Sequence, residues 1–155
     1  MTKLSAIVLG VALLGACGKK GGDSGPKMKT VDLGTTGFVV DVPSDWSVEV
    51  PMEGFFEFKG SRTAPQIMMS HGKASSADEI ATSRCEGRTK DVKKETLPGG
   101  GAFVSCTGES KMVKGVTTTQ IVAEIPNGDQ SFMCHMETDK DADTVAKVCK
   151  SIRKK

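Results

Sequence analysis

Between residues 29 and 71, apolar and polar side chains alternate in short runs bounded by glycine, proline or aspartate. A period of two belongs to strands that bury one face. It predicts strands at Lys29 to Leu33, Phe38 to Val42, Ser47 to Val50, Phe55 to Lys59 and Gln66 to His71, forming an N-terminal meander. Ser76 followed by Glu79 then has the spacing of a capping box, which opens a helix over Ala77 to Glu86 that Gly87 ends. Alternation resumes at Val92 to Thr96, Ala102 to Thr107, Val116 to Ile125 and Ser131 to Glu137. The breaks at Pro98 to Gly101, Gly115 and Asn127-Gly128 suit antiparallel hairpins. Val145, Val148, Cys149 and Ile152 fall at offsets of three, four and seven, the apolar stripe of a last helix started by Asp141 or Asp143. The order is that of an α+β domain, an antiparallel β-sheet with two helices packed against it.

The N-terminus breaks this pattern. Lys3 precedes an uncharged apolar run from Leu4 to Ala16. A spanning helix needs about 20 apolar residues, so this run has the length of an export signal rather than a permanent anchor. Leu14-Gly15-Ala16-Cys17 resembles the lipobox of bacterial lipoproteins, in which small residues admit a signal peptidase and the cysteine takes the lipid. The resemblance implies a signal peptide at 1–16. It makes Cys17 the mature N-terminus, carrying a diacylglyceryl group and an N-acyl chain such as palmitate. Several acyl chains hold firmly where one binds marginally. Gly18 stands where sorting rules for such proteins read aspartate as inner-membrane retention, which points to the outer membrane. Residues 17–29, rich in Gly, Ser and Lys, read as a lipidated flexible tether of about 20 Å reach. Residues 30–155 then form a single domain.

Within the tether, Gly22-Asp23-Ser24-Gly25 looks like the loop around a trypsin-like nucleophile, but a triad needs a rigidly held base and a tether holds none. The triple glycine Gly99-Gly100-Gly101 precedes a strand and lacks the Lys-Ser or Lys-Thr of a phosphate loop, so it reads as a turn.

Composition narrows the picture further. The formal charge is +2 with both signs interspersed, which gives no basis for a nucleic-acid partner. Beyond Cys17 the chain keeps four cysteines, Cys85, Cys106, Cys134 and Cys149; an even number in an exported domain implies two disulfides. Three pairings exist. Cys85 with Cys106 and Cys134 with Cys149 is favoured, because each ties a helix to the strand nearest it in sequence. A tetrathiolate zinc site would want closely spaced pairs, and the chain has no C-x-x-C.

Phe38-Val39-Val40-Asp41-Val42-Pro43-Ser44-Asp45-Trp46, followed by meander, helix, strands and C-terminal helix, looks like the PsbP-like α/β/α sandwich domains found in many small exported lipoproteins. The resemblance implies architecture and no catalytic residue. Trp46, the sole tryptophan, is expected in the core, with ligand stacking the rarer role.

One further set carries chemistry. Met69 and His71 share a strand face, as do Met133 and His135; if those strands are neighbours, two thioethers and two imidazoles form a soft site for Cu(I). Methionine is also a common core filler. Asp78, Glu79, Asp139, Asp141 and Asp143 lie at helix starts, where capping and the helix dipole account for them. With no nucleophile and base in evident company, the expected role is a non-enzymatic binding or envelope-structural module. It needs no cofactor; its contacts are the membrane, through its lipid, and an envelope protein. A periplasmic Cu(I) carrier is the alternative.

Overall fold

The computed structural model describes residues 25–60 and 65–155. The expected signal segment, Cys17, Gly18 and the serine of the Gly-Asp-Ser-Gly motif lie outside them. The strands are β1 (Met28–Asp32), β2 (Phe38–Pro43), β3 (Ser47–Met52), β4 (Phe55–Lys59), β5 (Gln66–His71), β6 (Lys90–Thr96), β7 (Ala102–Glu109), β8 (Thr117–Asn127), β9 (Gln130–Thr138) and β10 (Arg153–Lys154). The helices are α1 (Ala77–Arg84) and α2 (Ala142–Lys150), and a single 3-10 turn spans Gly34–Thr36. The fold is α+β, with every strand pairing antiparallel.

Two sheets form, where alternation alone predicts one N-terminal meander. β1, β2 and β10 make a three-stranded sheet; β3-β4-β5-β9-β8-β7-β6 make a seven-stranded one. The division falls at a tight turn where Trp46 N donates to Pro43 O at 3.0 Å, carrying the chain from one sheet to the next. Apolar alternation says which face of a strand is buried and nothing about its sheet, which is why the split is invisible in the pattern. The first strand begins at Met28, so the last two residues of the expected tether belong to the fold.

α1 packs on β6 and β7 on one face of the large sheet, enclosing Ile80, Val104, Cys106 and Val122. The larger core lies on the other face, where Phe38, Val40 and Val42 of β2 and Val145 and Val148 of α2 meet Phe58, Ile67, Ile121 and Phe132. Local chemistry explains both helices. At α1 the capping box is formed, Ser76 Oγ accepting from Glu79 N and Glu79 Oε2 from Ser76 N, the latter at 2.7 Å. At α2 the helix starts at Ala142; Asp141 sits at its N-cap with φ 56° and makes no side-chain cap bond, so the expected capping by that carboxylate is absent. The helix is held instead by its apolar face.

Cys85 is bonded to Cys106 and Cys134 to Cys149, so each helix is fastened to its own face of the large sheet. Bridges of this kind form and persist in oxidising, exported compartments. Among the described residues no helix is long and apolar enough to cross a membrane.

Candidate functional site

The helices cover the large sheet unevenly, and this creates the site. α2 crosses β8 and β9 and leaves β6 and β7 open on its face. The result is a groove of about 470 Å³ whose floor is Phe103, Ser105 and Thr107 of β7 with Thr119 and Ile121 of β8. Alternation puts these side chains on one face, since Phe103 pairs with Ala123, Ser105 with Ile121 and Thr107 with Thr119. The two threonine hydroxyls lie 3.1 Å apart. β6 forms one wall with Asp91, Lys93 and Glu95, and α2 the other with Asp143 and Lys147. Lys150 closes one end: its Nζ lies 2.5 Å from Glu95 Oε1 and 4.2 Å from the centre of the Phe103 ring. The site is an apolar floor with hydroxyl rungs between walls of both charges.

β6 is an edge strand, yet it resists pairing with another sheet. It carries Lys90, Lys93 and Lys94, Asp91 has φ 50°, and the register to β7 shifts between Lys90 and Lys93. Charges and a bulge are the usual defences of an exposed edge. A ligand of the groove therefore engages side chains.

On the opposite face, Arg88 is buried against Glu137, Nη2 to Oε1 2.8 Å, while its Nη1 donates to Thr118 Oγ1 and O at 2.8 and 3.1 Å. A Cβ on Gly108 would come within 2.9 Å of Arg88 Cγ, so the glycine makes room for the arginine stem. Burial alone would raise the Glu137 carboxyl; hydrogen bonds from Ser110, Thr118 and Arg88 outweigh it and hold the group below its ordinary value. The pair is structural, sewing the segment after α1 to β8 and β9.

The copper set does not come together. β5 and β9 are neighbours, but Met69 pairs with Phe132 and His71 with Gln130, whereas Met133 pairs with Met68 and His135 with Gln66. Met69 and His71 thus hold register positions of opposite parity to Met133 and His135, on opposite faces of the sheet. Among the described residues no three of His, Cys, Asp and Glu cluster as metal ligands. Arg84 Nη2 sits 3.8 Å from Met133 Sδ, and burial first, then the Arg84 charge, lowers the His135 pKa.

Trp46 is 6% exposed and lies on Gly60, where a Cβ would approach its Nε1 to 2.1 Å; it packs and offers no stacking face to a ligand. Gly99 and Gly100, at φ 83° and 86°, form the β6–β7 turn closed by Leu97 N on Gly101 O at 2.7 Å. Of the acidic helix-start residues, Glu79 caps and Asp78 pairs with Lys94 at 2.8 Å. Sequence reasoning missed the groove and the Arg88 pair. Both join residues far apart in the chain, and the one local signal was a lysine-rich strand.

No family model and no curated protein matches the chain. Among solved structures it is similar to cyanobacterial PsbP (CyanoP) from Synechocystis sp. PCC 6803, with 11% identity and TM-score 0.54 over 91% of this chain and 100% of that one. It is also similar to a protein from Bacteroides thetaiotaomicron VPI-5482, with 18% identity, TM-score 0.49 and 84% of this chain covered; the match spans about half, 48%, of that protein's length. The first likeness shows a PsbP-like sandwich fold.

Proposed function

Starting from that fold, we propose that the chain is an exported lipoprotein, anchored through Cys17, which works as a non-enzymatic binding module of the bacterial envelope. The observation that carries the reading is the groove beside α2, about 470 Å³, open and lined by an apolar floor with paired hydroxyls and opposite charges. Such a lining suits a protein segment bearing both charges over an apolar side chain. Two bridges that need an oxidising compartment, and the lipobox-like run before Cys17, support export. The four downstream thiols are spent in those bridges. Gly18 after the lipidated cysteine supports the outer membrane as the destination.

Two measurements test this. Intact mass and detergent partition are expected to give a mature N-terminus at Cys17 carrying acyl chains, and Cys17→Ser to release the protein into the aqueous phase; an unmodified N-terminus elsewhere refutes the anchor. Proximity labelling in the native envelope is expected to recover a protein partner with the wild-type chain and to lose it with Cys17→Ser. Recovery of the same proteins from both refutes the anchored binding module.

A further inference from the structure

The tip of the β7–β8 hairpin is built to keep two apolar side chains in water. Met112 is 86% exposed, the most exposed large apolar residue among those described, and its neighbour Val113 is 55% exposed. The turn that carries them is well ordered by its own bonds. Ser110 Oγ accepts from Met112 N at 3.1 Å and Val113 N at 3.2 Å, Ser110 N donates to Val116 O at 2.7 Å, and Gly115 N donates to Glu109 Oε1 at 2.8 Å. Gly115 has φ 78°, a conformation that favours glycine. The two side chains stand out from this frame, flanked by Lys111 and Lys114.

The course of the chain says what faces that tip. Glu49 pairs with Glu57, Glu57 with Gln66, Gln66 with His135, His135 with Val122 and Val122 with Val104, one row across the sheet from β3 to β7. Five antiparallel steps make β3 and β7 run in opposite senses. The start of β3 therefore lies at the same end of the sheet as the close of β7 and its tip. Just before β3, Met28 pairs with Pro43, and Ser44 N donates to Lys27 O at 2.7 Å. The N-terminal segment thus joins the fold at the end that carries Met112 and Val113. Five strand spacings separate the two laterally, roughly 24 Å at about 4.8 Å each.

We propose that the Lys111 to Lys114 tip is a second membrane contact, with Met112 and Val113 entering the interfacial layer of an anionic bilayer and the two lysines on its headgroups. The proposal rests on the anchoring through Cys17. Two apolar side chains alone bind a bilayer weakly, but a tether holds them at millimolar effective concentration, where a weak contact is populated. Lysines near an anionic surface add attraction within a Debye length. Three acidic groups near the tip have partners: Glu86 lies 3.8 Å from Lys111, Glu109 accepts from Gly115, and Asp139 lies 4.0 Å from Lys140. The contact fixes one end of the sandwich on the membrane and turns the β8–β9 turn, Asn127 to Gln130, toward the aqueous side.

The test uses the full lipidated chain in vesicles of phosphatidylethanolamine and phosphatidylglycerol. A polarity-sensitive fluorophore is placed at Val113→Cys or, at the far end, Asp129→Cys, and quenched by nitroxide-labelled lipid. Quenching at position 113 is expected to exceed that at 129 at least threefold, and Met112→Asp with Lys111→Glu and Lys114→Glu to bring it down to the far-end level. Equal quenching at both positions overturns the proposal, as does quenching that the triple substitution leaves unchanged. So does shielding of position 113 only on addition of envelope proteins, which makes a protein the occupant. Protein that carries no acyl chain, or that washes off the vesicles, refutes the anchor; protein that stays bound with a water-exposed label refutes the second contact alone.

Discussion

Single side chains set local tolerances that can be measured directly. Trp46 rests on Gly60 so closely that any Cβ there must displace the ring. Gly60→Ala is expected to cost about 2 kcal/mol, in the range of overpacked cores, and to shift the emission of the sole tryptophan to the red. The Arg88–Glu137 pair sets a second tolerance. Glu137→Gln leaves a buried guanidinium uncompensated and is expected to cost about 3 kcal/mol in denaturant unfolding at neutral pH. The carboxyl is held below its ordinary 4.5, so its contribution is full above that value and disappears as pH falls through the depressed folded value. The gap between wild type and variant should therefore close in acid. His135 acts higher on the scale. Burial and the Arg84 charge hold its pKa below the ordinary 6.5, so the fold favours the neutral ring, and this contribution is full above pH 6.5 and shrinks below it. His135→Gln is expected to flatten the stability profile just below pH 6.5.

Among the elements, those with a local signature were legible in the chain. The capping box located α1, the stripe Val145, Val148, Cys149 and Ile152 located α2, and alternation located nine strands to within a few residues. β10 was not legible, because Arg153 and Lys154 look like a solvated tail; they pair with β2 through backbone, and Arg153 adds a two-pronged bond to Asp41 at 2.8 and 3.1 Å. The copper set failed for the complementary reason. Its spacing within each strand was sound, but one residue of register between β5 and β9 decides which faces meet, and register is set by long-range pairing. Strand and helix are joined covalently at two points, with sequence separations of 21 and 15 residues. Replacing either cysteine pair by alanines is expected to lower stability by about 3 kcal/mol, read as a drop in denaturant midpoint that reductant no longer enlarges for that bridge.

At the scale of the molecule, the groove beside α2 is the candidate binding surface and the hairpin tip the candidate second membrane contact. A large residue at Thr107 fills the groove floor without touching the bridges or the main core. Thr107→Trp is expected to abolish capture of the partner in proximity labelling while thermal unfolding moves by only a few degrees. Capture that survives the filled groove places recognition elsewhere.

The distribution of the two disulfides also decides how the molecule carries load. Both lie between Cys85 and Cys149, so no disulfide ties β1 to β5 to the rest; hydrogen bonds, packing and the ion pairs Asp32–Lys155 and Asp41–Arg153 do. Were the chain pulled between a lipid on Cys17 and a partner in the groove, the load would enter at Met28, at the end of an antiparallel ladder with β2. No disulfide shares that load, so β1 would part from β2 before the doubly bridged half opened. Under such a load β1 would give way first, lengthening the leash and leaving the groove intact.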